Sequence, residues 1–307
     1  MSIDIVFMGS PDFALPTLRA LAEHYQVAGV ITQPDRPAGR SRLLTPPPVK
    51  ILAQELGLPV IQPDRLREPE AMGQLRAWAP DLIVVAAFGQ ILRPEVLDLP
   101  AYGCINVHAS LLPRWRGAAP IQAALLAGDE QTGITIMKMD PGVDTGPILG
   151  QRAGAIYPDD TAASLAARLA LLGAELLVET LPAYLGGSLT PQPQDESRAN
   201  YAPMLKKEDG QLDFHQPAKS LARLVRAFNP WPGAYTLWQG QRLKIHHAHA
   251  VEAPSPGAGQ TRIHAGLPAI ATSHGLLVLD EVQPAGKKSM PGKVFLQGAR
   301  GWEVSHD

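Results

Sequence analysis

Gly103-Cys-Ile-Asn-Val-His-Ala-Ser-Leu-Leu-Pro-Arg-Trp-Arg-Gly117 is the stretch from which the fold of this chain can be read. Ile105–His108 ends an apolar run, and a short loop closed by Pro113 follows. In a strand, residues i and i+2 project to one side. Asn106 and His108 then stand together, with Cys104 on the same face, while Ile105 and Val107 face the other way. Working outward, Leu82–Ala87, Val60–Ile61, Val27–Ile31 and Ile3–Met8 read as further strands, and 14–22, 49–56 and 68–78 as helices between them. Strand and helix in alternation predict an α/β chain with a doubly wound, mostly parallel sheet. Ligands in such sheets sit at the carboxyl ends of strands, which is where His108 falls. Gly9-Ser-Pro, after the first strand, lacks the second and third glycines of a dinucleotide loop, so no nucleotide cofactor is expected.

The chain has 307 residues, 45% of them apolar and 18% charged. Those values belong to a folded protein with two domains, not to a disordered chain. No apolar run is long enough to span a membrane, and Met1-Ser-Ile-Asp4 does not begin a secretory signal. The single cysteine, Cys104, excludes an internal disulfide and suits a reducing cytoplasm; a buried core thiol is expected there. Net charge is −2, split as −6 over residues 1–200 and +4 over 201–307. A basic second half hints at a polyanionic partner. After a long helix over 161–181, Gly, Ser, Pro and Asn gather as in a linker. The expected division is 1–188, a linker 189–207, and a second domain 208–307. That domain opens with a helix over 217–228. Short apolar runs at 243–247, 269–271 and 276–279 then suggest a small β-barrel.

Three groups of residues carry chemistry. Asn106 and His108 can hold a carbonyl and manage protons. Asp144, in Asp140-Pro-Gly-Val-Asp-Thr-Gly-Pro147, sits in a rigid turn where a carboxylate can orient an imidazole, although a turn Asp that bonds its own backbone has the same look. Arg36, Arg40 and Arg42 share one proline-rich loop; Lys219, Arg223 and Arg226 fall at i, i+4 and i+7 of one helix; Lys206, Lys207, Lys287 and Lys288 add to the second half. Each is a solvated face or part of a track for phosphates. His246, His247 and His249 lack partners at ligand spacing, so no metal is expected.

The run Asn106-Val-His108-Ala-Ser110-Leu-Leu-Pro113-Arg-Trp-Arg-Gly-Ala-Ala-Pro120, with Asp144-Thr-Gly downstream, resembles the 10-formyltetrahydrofolate-dependent formyltransferases. Phe7-Met-Gly-Ser-Pro-Asp-Phe13, Gln33-Pro-Asp-Arg-Pro-Ala-Gly-Arg40, Pro80–Gly89 and Phe228-Asn-Pro-Trp-Pro-Gly-Ala234 extend the likeness, in order, to the branch that formylates methionyl-tRNA. The resemblance implies a Rossmann-like formyltransferase fold with an OB-like C-terminal barrel. It implies that Asn106, His108 and Asp144 are catalytic and that Ser110, Leu111, Leu112 and Pro113 line the folate site. The basic loop and second domain would hold initiator Met-tRNA. The implied substrates are 10-formyltetrahydrofolate and that tRNA, acted on by a monomer in the cytoplasm, with no metal. Ala109 departs from the Gly or Pro of many relatives, a small change. A folate-dependent hydrolase, a sugar or purine formyltransferase, and a non-catalytic RNA-binding protein are the alternatives; the basic features speak against the first two and the intact Asn106, His108 and Asp144 against the last.

Overall fold

The computed structural model describes residues 3–38, 43–255 and 257–302. From its start the chain runs through β1 (Asp4–Gly9), α1 (Leu15–His24), β2 (Gln26–Ile31), β3 (Arg36–Ala38), β4 (Leu43–Thr45), α2 (Pro48–Glu55), β5 (Val60–Ile61), α3 (Pro69–Ala77), β6 (Leu82–Ala86), α4 (Pro94–Leu97) and β7 (Cys104–His108). β1 pairs in parallel with β2 and β6, β2 with β5, and β6 with β7. The Leu82–Ala86 run is buried at every position, as a strand covered on both faces must be. Val6, Met8, Ile83 and Val85 pack with Leu75 of α3 and with Phe88. A proline opens each of α2, α3 and α4, where its missing N–H costs nothing.

β8 (Arg116–Gly117), α5 (Pro120–Ala127), β9 (Gln131–Lys138), β10 (Ile148–Ala155) and α6 (Ala162–Leu185) follow. β9 runs antiparallel to β7 and β10 antiparallel to β9. The sheet order is therefore β10-β9-β7-β6-β1-β2-β5, with β7 joining the parallel part to the antiparallel edge. The stretch between Pro34 and Pro48, expected as a loop, contains a two-stranded ribbon: β3 and β4 pair antiparallel, Arg36 opposite Thr45.

Two units emerge, and neither is a single run of chain. The first comprises Met1–Pro120, Gln131–Ala155 and Ala166–Ala202; the second comprises Ile121–Glu130, Ile156–Leu165 and Pro203–Asp307. The division differs from the expected linker at 189–207, since residues 189–202 belong to the first unit. There β11 (Tyr201–Ala202) pairs in parallel with β8, and Gln192 bridges Ile148. These attachments are backbone pairs and side-chain amide bonds, which leave no apolar period to read.

In the second unit α7 (Ala218–Ala227) precedes β12 (Ala234–Trp238), β13 (Gln241–Val251), β14 (Thr261–His264), β15 (Leu267–Ala271), β16 (Leu276–Pro284), β17 (Met290–Pro291) and α8 (Gly292–Gly298). The strands form an antiparallel sheet in the order β12-β13-β16-β15-β14, with β17 on β16. Leu221 and Val225 of α7 pack with Leu243, Ile245, Leu277 and Leu279 in its core. The apolar positions of α7 recur at helical spacing, so one stripe is buried and Lys219 stays exposed. Among the described residues no helix is long and apolar enough to cross a membrane.

Candidate active site

β7 carries Asn106 and His108 to its carboxyl end, and the turn after β9 brings Asp144 beside them. Asn106 Nδ2 donates to Asp144 Oδ1 at 3.4 Å, and His108 Nδ1 lies 3.6 Å from Asp144 Oδ2. The Gly117 N–H donates to the same Oδ2 at 2.8 Å. Gly117 has φ +107°, and a Cβ there would stand 2.6 Å from the Ala202 carbonyl oxygen, so β8 can meet both β11 and the carboxylate only as glycine. His108 is 6% exposed and Asp144 17%. The other ring nitrogen, Nε2, lies 3.1 Å from the Trp115 carbonyl. A carbonyl only accepts, so Nε2 carries a proton. The sequence suggested an imidazole held from one side; here it is held from both.

Residues 194–200 support this arrangement, and nothing in the sequence marked them. Gln194 Nε2 donates to the carbonyls of Asp144 and Gly146 at 2.8 and 2.7 Å. Arg116 is fully buried; it donates to Gln194 Oε1 and reaches Glu196 with both terminal nitrogens at 2.8 and 2.7 Å. That fork holds the Glu196 carboxyl below the usual range and raises Arg116 above its own. Asn200 Oδ1 accepts from the Trp115 N–H at 2.5 Å.

Within the expected folate loop the four residues part company. Ser110 is fully buried and its hydroxyl donates to the Arg114 carbonyl at 2.6 Å. Leu112 is also buried; its N–H donates to Thr135 Oγ1 and its carbonyl accepts from Gln151. The Thr135 hydroxyl donates in turn to the Ser110 carbonyl. Ser110 and Leu112 thus hold the loop from inside, while Leu111 and Pro113 are half-buried.

Known proteins place this chain. A family model described as formyl transferase matches residues 3–181, and one described as formyl transferase, C-terminal domain, matches 204–300. The chain belongs to the formyl transferase family. It is 52% identical to a methionyl-tRNA formyltransferase of Methylococcus capsulatus, over 95% of this chain and 96% of the relative. To that of Myxococcus xanthus it is 51% identical, over 96% and 94%. Its fold matches HypX from Aquifex aeolicus, solved in complex with tetrahydrofolic acid, with a TM-score of 0.65 at 18% identity, over 98% of this chain and 48% of that one.

As a formyl transferase the chain also holds a cavity of about 600 Å³ that its sequence did not announce, lined by Arg65, Arg67, Arg76 and Arg93 together with Met72 and Val96. Arg65 and Arg67 come after β5 in the chain and Arg93 after β6, while Met72 and Arg76 lie on α3 and Val96 on α4. Arg36 is exposed on β3 and donates to Gln33 Oε1 at 3.0 Å, while Arg40 and Arg42 lie outside the described residues. The stripe on α7 is partly spent within its own unit. Lys219 pairs with Glu252 at 2.8 Å, Arg226 donates to the Asp160 carbonyl at 2.9 Å, and Arg223 lies 3.5 Å from that of Ala127. Burial lowers Arg226 below the usual arginine range. Lys206, Lys207, Lys287 and Lys288 are exposed. His246, His247 and His249 face Gln283, Glu281 and Asp280 separately, and among the described residues no group of three or more His, Cys, Asp or Glu side chains is placed to hold a metal. Cys104 is 1% exposed, and burial pushes its thiol up to about 12.

Proposed function

We propose that this formyl transferase moves the formyl group of 10-formyltetrahydrofolate to the α-amino group of methionine on initiator methionyl-tRNA, in the cytoplasm. The observation that carries the reading is the Asp144 carboxylate, shared by Asn106, His108 and the Gly117 N–H, in a chain about half identical to methionyl-tRNA formyltransferases over nearly its whole length. The amine nitrogen forms a bond to the formyl carbon, and the carbonyl oxygen becomes an oxyanion. Asn106 donates to that oxygen; a donor aimed at developing charge is worth about 3–4 kcal/mol. His108, steadied by Asp144, takes the amine proton. To do so it moves the proton held toward the Trp115 carbonyl from Nε2 to Nδ1, beside Asp144 Oδ2, so that the bare Nε2 takes the amine proton and passes it on to N10. The carbon–N10 bond then breaks, N10 gains a proton, and tetrahydrofolate leaves with formyl-methionyl-tRNA.

The arginine-lined cavity has the size of a small-molecule site and the charge to receive the carboxylates of a folate. Arg36, Arg40 and Arg42 and the exposed lysines of the second unit are assigned to the tRNA backbone. The test is to incubate the protein with charged initiator tRNA and 10-formyltetrahydrofolate and then look for formyl-methionine. Free methionine and an amino sugar serve as control acceptors. Formylation of a control acceptor but not of the tRNA would overturn the assignment.

A further inference from the structure

Both polar atoms of the Gln194 side chain have partners in the active-site region. Its two amide hydrogens go to the Asp144 and Gly146 carbonyls, and its Oε1 receives Arg116. Arginine only donates and a carbonyl only accepts, so this orientation of the amide is dictated by its neighbours. What it grips is unusual backbone. Asp144 has φ 53°, and Trp115, whose carbonyl meets His108, has φ 61°. A side chain with a Cβ adopts that region at a cost and stays there only when its surroundings hold it. Gln194 supplies the hold at Asp144, and Asn200 supplies it at Trp115. Both belong to the short segment that Arg116 anchors through Glu196 and that β11 stitches to β8.

Resting on the functional reading above, we propose that Gln194 is a positioning residue for formyl transfer, which sets where the Asp144 carboxylate meets Asn106 and His108. Gln194 bonds the backbone of the Asp140–Pro147 turn and not the three polar side chains, so it acts through Asp144. An error of an ångström in such a carboxylate is felt in turnover more than in binding.

The test compares the full chain with Gln194→Ala and Gln194→Glu. Glutamate keeps the volume and the Arg116 contact but turns an acceptor toward two carbonyls, so it turns the grip on the turn into repulsion. Both variants are expected to lose about 10–100-fold in kcat, with KM for tRNA and for folate within about threefold of the unaltered protein. In an Asp144→Asn background the same changes are expected to cost less than about threefold, because the two residues act as a unit. Should Gln194→Ala fail to fold, Gln194→Glu, which retains the Arg116 pairing, carries the test. Undiminished kcat in Gln194→Glu, or losses that multiply in full in the Asp144→Asn background, overturn the inference while leaving the functional reading intact. Absence of turnover by the unaltered protein overturns the functional reading and this inference with it.

Discussion

His108 and Asp144 sit 3.6 Å apart with one ring nitrogen on a carbonyl, so the pair is assembled before any substrate arrives. Replacing His108 by Ala is expected to lower kcat by about 10²–10⁴-fold with folding retained, and Asp144→Asn to do likewise. The double variant is expected to cost far less than the product of the two, because neither group works without the other. Steady-state kinetics beside a melting curve checks all three, and near-normal turnover in either single variant removes the assignment. Cys104 lies two residues from Asn106 yet takes no part. It is 1% exposed, and burial pushes its thiol up to about 12, so it stays protonated at ordinary pH. The folded protein is therefore expected to resist Ellman's reagent and to react only once unfolded; rapid stoichiometric labelling of the native chain would contradict this.

At the scale of elements, the segment 192–202 behaves as part of the α/β unit although its composition is that of a linker. Its anchor is the fork between buried Arg116 and exposed Glu196. Because the Glu196 carboxyl is held below its usual value, the bond contributes stability that is fully present above the unfolded value of about 4.3 and is lost as pH falls through the lower folded one. Glu196→Gln is accordingly expected to melt below the unaltered protein at pH 7 and to approach it near pH 3. A gap between the melting curves that stays constant across that range would show that the fork does not couple to pH. Arg116→Lys keeps the charge but loses the planar fork that spans Gln194 and Glu196, so a fall of about tenfold in kcat is expected with tRNA affinity unchanged.

At the scale of the whole molecule, charge is divided unevenly along the chain, with the excess of Lys and Arg over residues 201–307. The three cations of α7 have partners inside their own unit, so the exposed lysines at 206, 207, 287 and 288 are the better candidates for phosphate contact. Binding of tRNA is expected to weaken as salt rises, with a log–log slope of about −0.7 to −0.9 per phosphate neutralised. Changing the four lysines together to Gln should make that slope shallower and raise KM for tRNA, leaving KM for folate alone. An unaltered salt slope would move the nucleic-acid surface elsewhere.

Local pattern settled much of this protein. The parallel strands were legible because Leu82–Ala86 and its neighbours are continuous apolar runs between helical stretches, and burial on both faces demands that pattern. That Asn106 and His108 share one face of β7 was legible from a two-residue period, and that Asp144 sits in a rigid turn from its prolines and glycines; what linked the three was the resemblance to a family, not the local pattern. Tertiary structure alone decided what holds them. Gln194, Glu196 and Asn200 reach Asp144, Arg116 and Trp115 across 50 to 85 positions of chain. It likewise turned Ser110 and Leu112 inward and gave Arg223 and Arg226 backbone partners. The physical reason is common to all of these. Apolar burial repeats along an element and leaves a period, whereas a single hydrogen bond between distant residues has direction and distance but no period.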